Sequence, residues 1–107
     1  MSAFKAWWDA GLTGKHYAIT VPSDGSVACT PDLDPGLYEC QAVGDNMYVK
    51  RVPGETTSLP STNGDECAFV RDGGGVFVII SEHGPENRVA VKAITPTLST
   101  LHVQRRG

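Results

Sequence analysis

The chain reads as a single all-β domain, a small β-sandwich or distorted barrel of about eight mostly antiparallel strands, preceded by a short N-terminal helical arm. Three observations carry this reading. Short runs rich in β-branched and aromatic residues recur along most of the 107 residues, separated by clusters of Gly, Pro, Asn, Asp and Ser. Apolar residues at helical spacing occur only at the N-terminus. The most apolar run, Val76-Phe77-Val78-Ile79-Ile80, lies between Asp72-Gly73-Gly74-Gly75 and Ser81-Glu82-His83-Gly84-Pro85, which is a strand's length and not a helix's. That run does not alternate with polar residues, so both of its faces should be covered. It is expected at the centre of a sandwich or barrel, or at a subunit contact.

Residues 1–14 are the expected arm and residues 15–107 the β domain. In the arm Ser2 is a plausible N-cap, Phe4, Trp7, Trp8 and Leu12 fall on one stripe, and Gly11 can end the helix. About ten residues are too few for a helix to stand alone in water, so the aromatic stripe must dock. It either plugs one end of its own β core or packs on a neighbouring subunit.

From His16 the text is β. Tyr17, Ile19 and Val21 alternate with polar or small residues, and Pro22-Ser23-Asp24-Gly25 turns the chain toward a strand at 26–30. Pro31-Asp32-Leu33-Asp34-Pro35-Gly36 is a rigid loop. Its two aspartates supply too few oxygens for calcium and serve turn chemistry. Gly36–Val43 and Met47–Val52 are expected to form a hairpin around Gly44-Asp45-Asn46, with Tyr38, Cys40 and Ala42 on one face and Glu39 and Gln41 on the other. Residues 53–66 hold a single large apolar residue, Leu59, and a loop of this length is a candidate to lie across a partner. Strands at 67–71, 75–81 and 88–94 follow, joined by expected hairpin turns, and a last strand covers 98–104. The three glycines at 73–75 lead into a strand, not a helix, which argues against a phosphate cradle.

Composition narrows the function. A net charge of −3 with 40 % hydrophobic residues fits a folded domain without the basic excess of a phosphate-binding surface. Cys29, Cys40 and Cys67 are widely spaced, with no zinc-type pattern, and are expected as buried unpaired thiols in a reducing compartment. Residues 1–14 lack the continuous apolar stretch of a signal peptide, and no run approaches the ~18 residues of a membrane span.

His16, His83 and His102 are the titratable candidates, but none stands beside a Ser or Cys in a recognisable nucleophile context. No catalytic, cofactor-binding or metal residues are therefore assigned, and no enzyme is expected. Tyr48, Phe69 and Phe77 could stack bases in an OB-type single-stranded nucleic-acid binder, with Lys50, Arg51, Arg71 and Lys92 as the sparse basic complement.

The run Gly36-Leu37-Tyr38-Glu39-Cys40-Gln41-Ala42-Val43-Gly44-Asp45-Asn46-Met47-Tyr48-Val49-Lys50, the Ser/Thr-rich loop, Phe77 to Ile80 and the late Leu101-His102-Val103 resemble small accessory virion proteins of tailed bacteriophages, of the minor capsid, decoration or cement type. The resemblance implies a non-enzymatic structural protein that binds and stabilises a capsid lattice. It further implies a homotrimer bound to a major capsid or other virion protein, assembled in the host cytoplasm and resident in the virion. Phe4, Trp7, Trp8, Leu12 and Leu59 are the expected partner or oligomer contacts. The alternatives are a small phage or bacterial protein-binding module or inhibitor, and the nucleic-acid binder.

Overall fold

A computed structural model describes residues 15–54, 67–95 and 97–107. Eight strands are present: β1 (His16–Val21), β2 (Ala28–Cys29), β3 (Gly36–Val43), β4 (Met47–Val52), β5 (Ala68–Val70), β6 (Gly75–Ile80), β7 (Arg88–Ala93) and β8 (Ser99–Arg105). They form two four-stranded sheets, β1-β8-β3-β6 and β2-β7-β4-β5, with every pairing antiparallel. The described residues thus form a sandwich and not a closed barrel. The arm expected over residues 1–14 lies outside them.

The core follows from strand alternation. Tyr38, Cys40 and Ala42 of β3 point inward and are fully buried, as their spacing predicts, with Leu101 and Val103 of β8 beside them. From the second sheet Met47, Val49, Val70, Val89, Val91 and Ala93 close the core. Two of the polar groups taken inside are partnered as follows, whereas the buried Ser99 hydroxyl and Asn87 Oδ1 have no hydrogen-bond partner among the described residues. Tyr38 donates its hydroxyl to the Asp34 carbonyl at 2.7 Å, and burial pushes its phenol above the ordinary value. The Thr30 hydroxyl accepts the Val89 N–H at 3.0 Å.

Two expectations from the sequence are corrected. Gly36–Val43 and Met47–Val52 are not a hairpin, because β3 and β4 belong to different sheets. Gly44, with a φ of +102°, carries the chain from one sheet to the other. The corner is then locked: the buried Asp45 carboxylate accepts the N–H groups of Asn46 at 2.7 Å and Thr95 at 2.9 Å, while Asp72 accepts the Gly44 N–H at 2.9 Å. The turns at 72–75 and 83–87 likewise change sheets. At the first, Gly73 donates to the Ala42 carbonyl at 2.8 Å and Gly74 accepts from the Ala42 N–H at 3.0 Å, extending the β3–β6 ladder through the glycines.

The second correction concerns residues 76–80. The strand they form, β6, is not central. It pairs with β3 on one side and, among the described residues, ends the first sheet on the other. Only Ile80 is fully buried. Val76 and Val78 are half-buried against the core, and Phe77 and Ile79 are 63 % and 62 % exposed.

Candidate interaction surface

The outer face of the first sheet is set by its register. One row across it runs His16, Gln104, Glu39, Phe77, and the next strand positions of β3 and β6 bring Leu37 opposite Ile79. Polar side chains therefore cover β1 and β8, and an apolar strip of Leu37, Phe77 and Ile79 forms the β3–β6 margin.

Backbone direction makes this margin an edge with no partner strand among the described residues. Ala42 turns both its N–H and its C=O toward β6, so the even positions of β3 do the same, and they bond to Val76, Val78 and Ile80. The N–H and C=O groups of Phe77 and Ile79 consequently point away from the sheet. One of these groups has a side-chain partner: the Ile79 carbonyl accepts from the Arg51 guanidinium at 2.7 Å. Arg51, on β4 of the opposite sheet, also stands 3.8 Å from Glu86. Between β6 and the β4–β5 margin runs a groove of about 420 Å³ lined by Val49, Ala68 and the β6 residues 76–79, together with the charged Lys50, Arg51 and Glu86.

A second, polar depression of about 290 Å³ lies on the same face, lined by His16, Glu39, Gln41, His102, Gln104 and Arg106. His16 Nε2 and His102 Nδ1 are 2.9 Å apart, with ring centroids separated by 5.1 Å and planes 8° apart. A contact that short between near-parallel rings so widely separated means edge-to-edge, roughly coplanar imidazoles sharing one N–H···N bond, and not face-to-face stacking. Nearby, Arg106 holds Glu39 through Nε at 3.0 Å and Nη2 at 2.9 Å. Chemically these groups partner one another across β1, β8 and β3.

Other sequence candidates fall elsewhere. Asp32 is taken by Arg88 at 2.6 Å and Asp34 by Lys15 at 3.2 Å, so each carboxylate of the Asp32-Leu33-Asp34 loop has its own cation. No cluster of three or more His, Cys, Asp or Glu side chains suited to a metal ion occurs among the described residues. Tyr48 and Phe69 meet edge-on, 6.0 Å between centroids, on the second sheet, whereas Phe77 is on the first, so the three aromatics do not form one stacking platform. His83 is exposed in its loop, 3.5 Å from Glu82. Cys40 and Cys67 are buried but Cys29 is only half-buried. Burial, reinforced by the Glu39 carboxylate, pushes the Cys40 thiol up to about 12.

Phe4, Trp7, Trp8, Leu12 and Leu59, the contacts expected from sequence, all lie outside the described residues. The residues that sequence reasoning missed as a surface are Phe77 and Ile79, although the signal is in view: a strand without alternation fits a subunit contact as well as the centre of a sandwich or barrel. The His16–His102 pair joins positions 86 residues apart, and no local pattern announces it. No family model, no curated protein and no solved structure matches the chain.

Proposed function

We propose that the chain is a non-enzymatic structural protein that binds and stabilises a larger protein lattice, of the kind accessory capsid proteins occupy. The observation that carries this is the β6 margin, where exposed Phe77 and Ile79 line a groove with Val76 and Val78. A solvated strand is ordinarily polar on its outward face, and natural edges are blunted by charge, proline, bulges or short length. β6 has six residues, none of them charged and none proline. A surface of this kind supports attachment to other proteins. The resemblance to small phage virion proteins supplies the lattice as the partner class, with a major capsid protein as the contact.

The same edge also supports the second reading, a module that captures an extended segment of one cellular protein by adding it as a strand. Mass spectrometry of gradient-purified particles from the same source tests the choice, together with particle heat stability with and without the chain. Stoichiometric presence in particles, with a lowered disruption temperature when the chain is missing, is the expected result. Absence from particles combined with a soluble one-to-one complex would replace the lattice reading with the second one.

A further inference from the structure

We infer that β6 is a pairing edge for a second copy of this chain, so that two first sheets join antiparallel through β6 into one continuous eight-stranded sheet. The inference rests on the proposed function only for the setting: pairing uses the backbone groups of the edge and leaves the outer row of Leu37, Phe77 and Ile79 on the sheet face for the lattice, in a twofold pair and not the homotrimer that the resemblance implies. Its own basis is an edge with none of the usual guards. β6 has six residues with no charge and no proline, pairs with β3 alone among the described residues, and turns the N–H and C=O groups of Phe77 and Ile79 away from it. A second β6 across a twofold axis supplies a partner strand of the same uncharged kind.

The register follows from the open groups. Phe77 and Ile79 direct their N–H and C=O groups outward, so they must occupy the hydrogen-bonded positions of any new antiparallel ladder. A twofold axis at Val78 sets Phe77 opposite Ile79 of the second copy and Ile79 opposite its Phe77, closing four backbone bonds. On the outer face each phenyl ring then lies against an isoleucine, an aromatic–β-branched cross-strand pair, in a row continued by Leu37. On the inner face Val78 meets Val78 of the second copy at the mouth of the groove. The charges nearest the pair are held in place: Glu39 beside Phe77 by Arg106 at 2.9 Å, and Arg51 by Glu86 at 3.8 Å. The Ile79 carbonyl has a second lone pair free for the new bond while it keeps Arg51.

The other margins are built differently. β2 and β5, the edges of the second sheet, have two and three residues, short enough to discourage pairing. β1 turns His16, Ala18 and Thr20 outward and is polar where β6 is apolar.

Sedimentation equilibrium of the full chain from 1 to 100 µM, with particles absent, tests the pairing against F77K/I79K. Both residues are exposed, so the double variant should keep its circular dichroism and melt as a monomer, with dimer affinity reduced at least 100-fold. A second variant, Val78→Cys, places two thiols across the axis at a non-hydrogen-bonded pair, close enough for a disulfide. It should form a covalent dimer under mild oxidation, which the parent chain and Phe77→Cys should not. A wild-type monomer at 100 µM, or an oligomer unchanged by F77K/I79K, overturns the inference, and so does failure of Val78→Cys to cross-link should the lysine variant not fold. A chain that is monomeric here but present in purified particles removes the β6 pair and leaves the lattice function standing. A dimer absent from particles does the reverse.

Discussion

Adjacent isoleucines on one strand offer the sharpest test of where β6 lies. Ile80 is 2 % exposed and belongs to the core cluster with Tyr38 and Val21, whereas Ile79 is 62 % exposed on the outer face. Truncating Ile80 to alanine removes its buried methyl and methylene groups and leaves a cavity, which should destabilise the fold by about 2–5 kcal/mol. The same truncation at Ile79 loses only the two-fifths of the side chain that is covered, under about 1 kcal/mol at the usual value per unit of apolar area. Both variants make the same Ile→Ala change at adjacent positions of one strand, so the intrinsic propensity difference largely cancels. At an unfolding entropy of ~2.1 cal/mol/K per residue, 1 kcal/mol corresponds to roughly 4 °C for this length. Ile80→Ala should therefore melt about 10–20 °C below the parent and Ile79→Ala less than about 5 °C below it. The measurement is a urea titration and a thermal melt at a concentration where sedimentation shows monomer. At higher concentration the Ile79 penalty should grow, because that side chain is then covered by a second copy. Equal penalties for the two variants in the monomer would mean that β6 has both faces covered within one chain, and the exposed outer row of Phe77 and Ile79 would fall.

Two further outcomes are expected. The Cys40 thiol is held protonated up to about 12 in the folded chain, above its ordinary 9.0, so the unfolded chain releases this proton first. Its contribution is complete below pH 9 and is lost as pH rises toward 12, by about 1.4 kcal/mol per pH unit. Urea titrations at pH 8 and 10 should show this loss in the parent and a shallower one in Cys40→Ala, with the raised Tyr38 phenol adding loss in the same direction in both. Identical slopes would place the thiol in water. Asp45→Ala strips the acceptor from the Asn46 and Thr95 N–H groups at the buried corner and should destabilise by about 1–3 kcal/mol. Asp45→Asn, which retains one oxygen, should fall between the two in a thermal melt.

Much of the local structure was legible in the sequence because a strand writes its two faces at a period of two. Tyr38, Cys40 and Ala42 against Glu39 and Gln41 gave the inward and outward sides of β3, and turn residues bounded eight strands close to where they stand. The glycines at 73–75 were legible as a turn into a strand. Which strand pairs with which was not legible. Gly44-Asp45-Asn46 has hairpin composition, yet the Asp45 and Asp72 carboxylates bind backbone groups of distant segments and hold it as a crossing between sheets. Among the described residues only β4 and β5 pair as consecutive strands, so nearly all the ladder energy there comes from residues far apart in the chain.

The candidate surface divides along the same line. The sequence by itself determined that residues 76–80 form a strand apolar on both faces, because side-chain alternation is local and readable. Whether that strand sits inside the molecule or at its margin was decided by the tertiary pairing: β3 is bonded to β8 on one side and β6 on the other, and no strand among the described residues pairs with the far side of β6. The same pairing brought His16 to His102 and left Phe77 and Ile79 facing water. The physical reason is that apolar pattern states how much burial a strand requires, while the backbone hydrogen bonds of the folded sheet determine which neighbour supplies it.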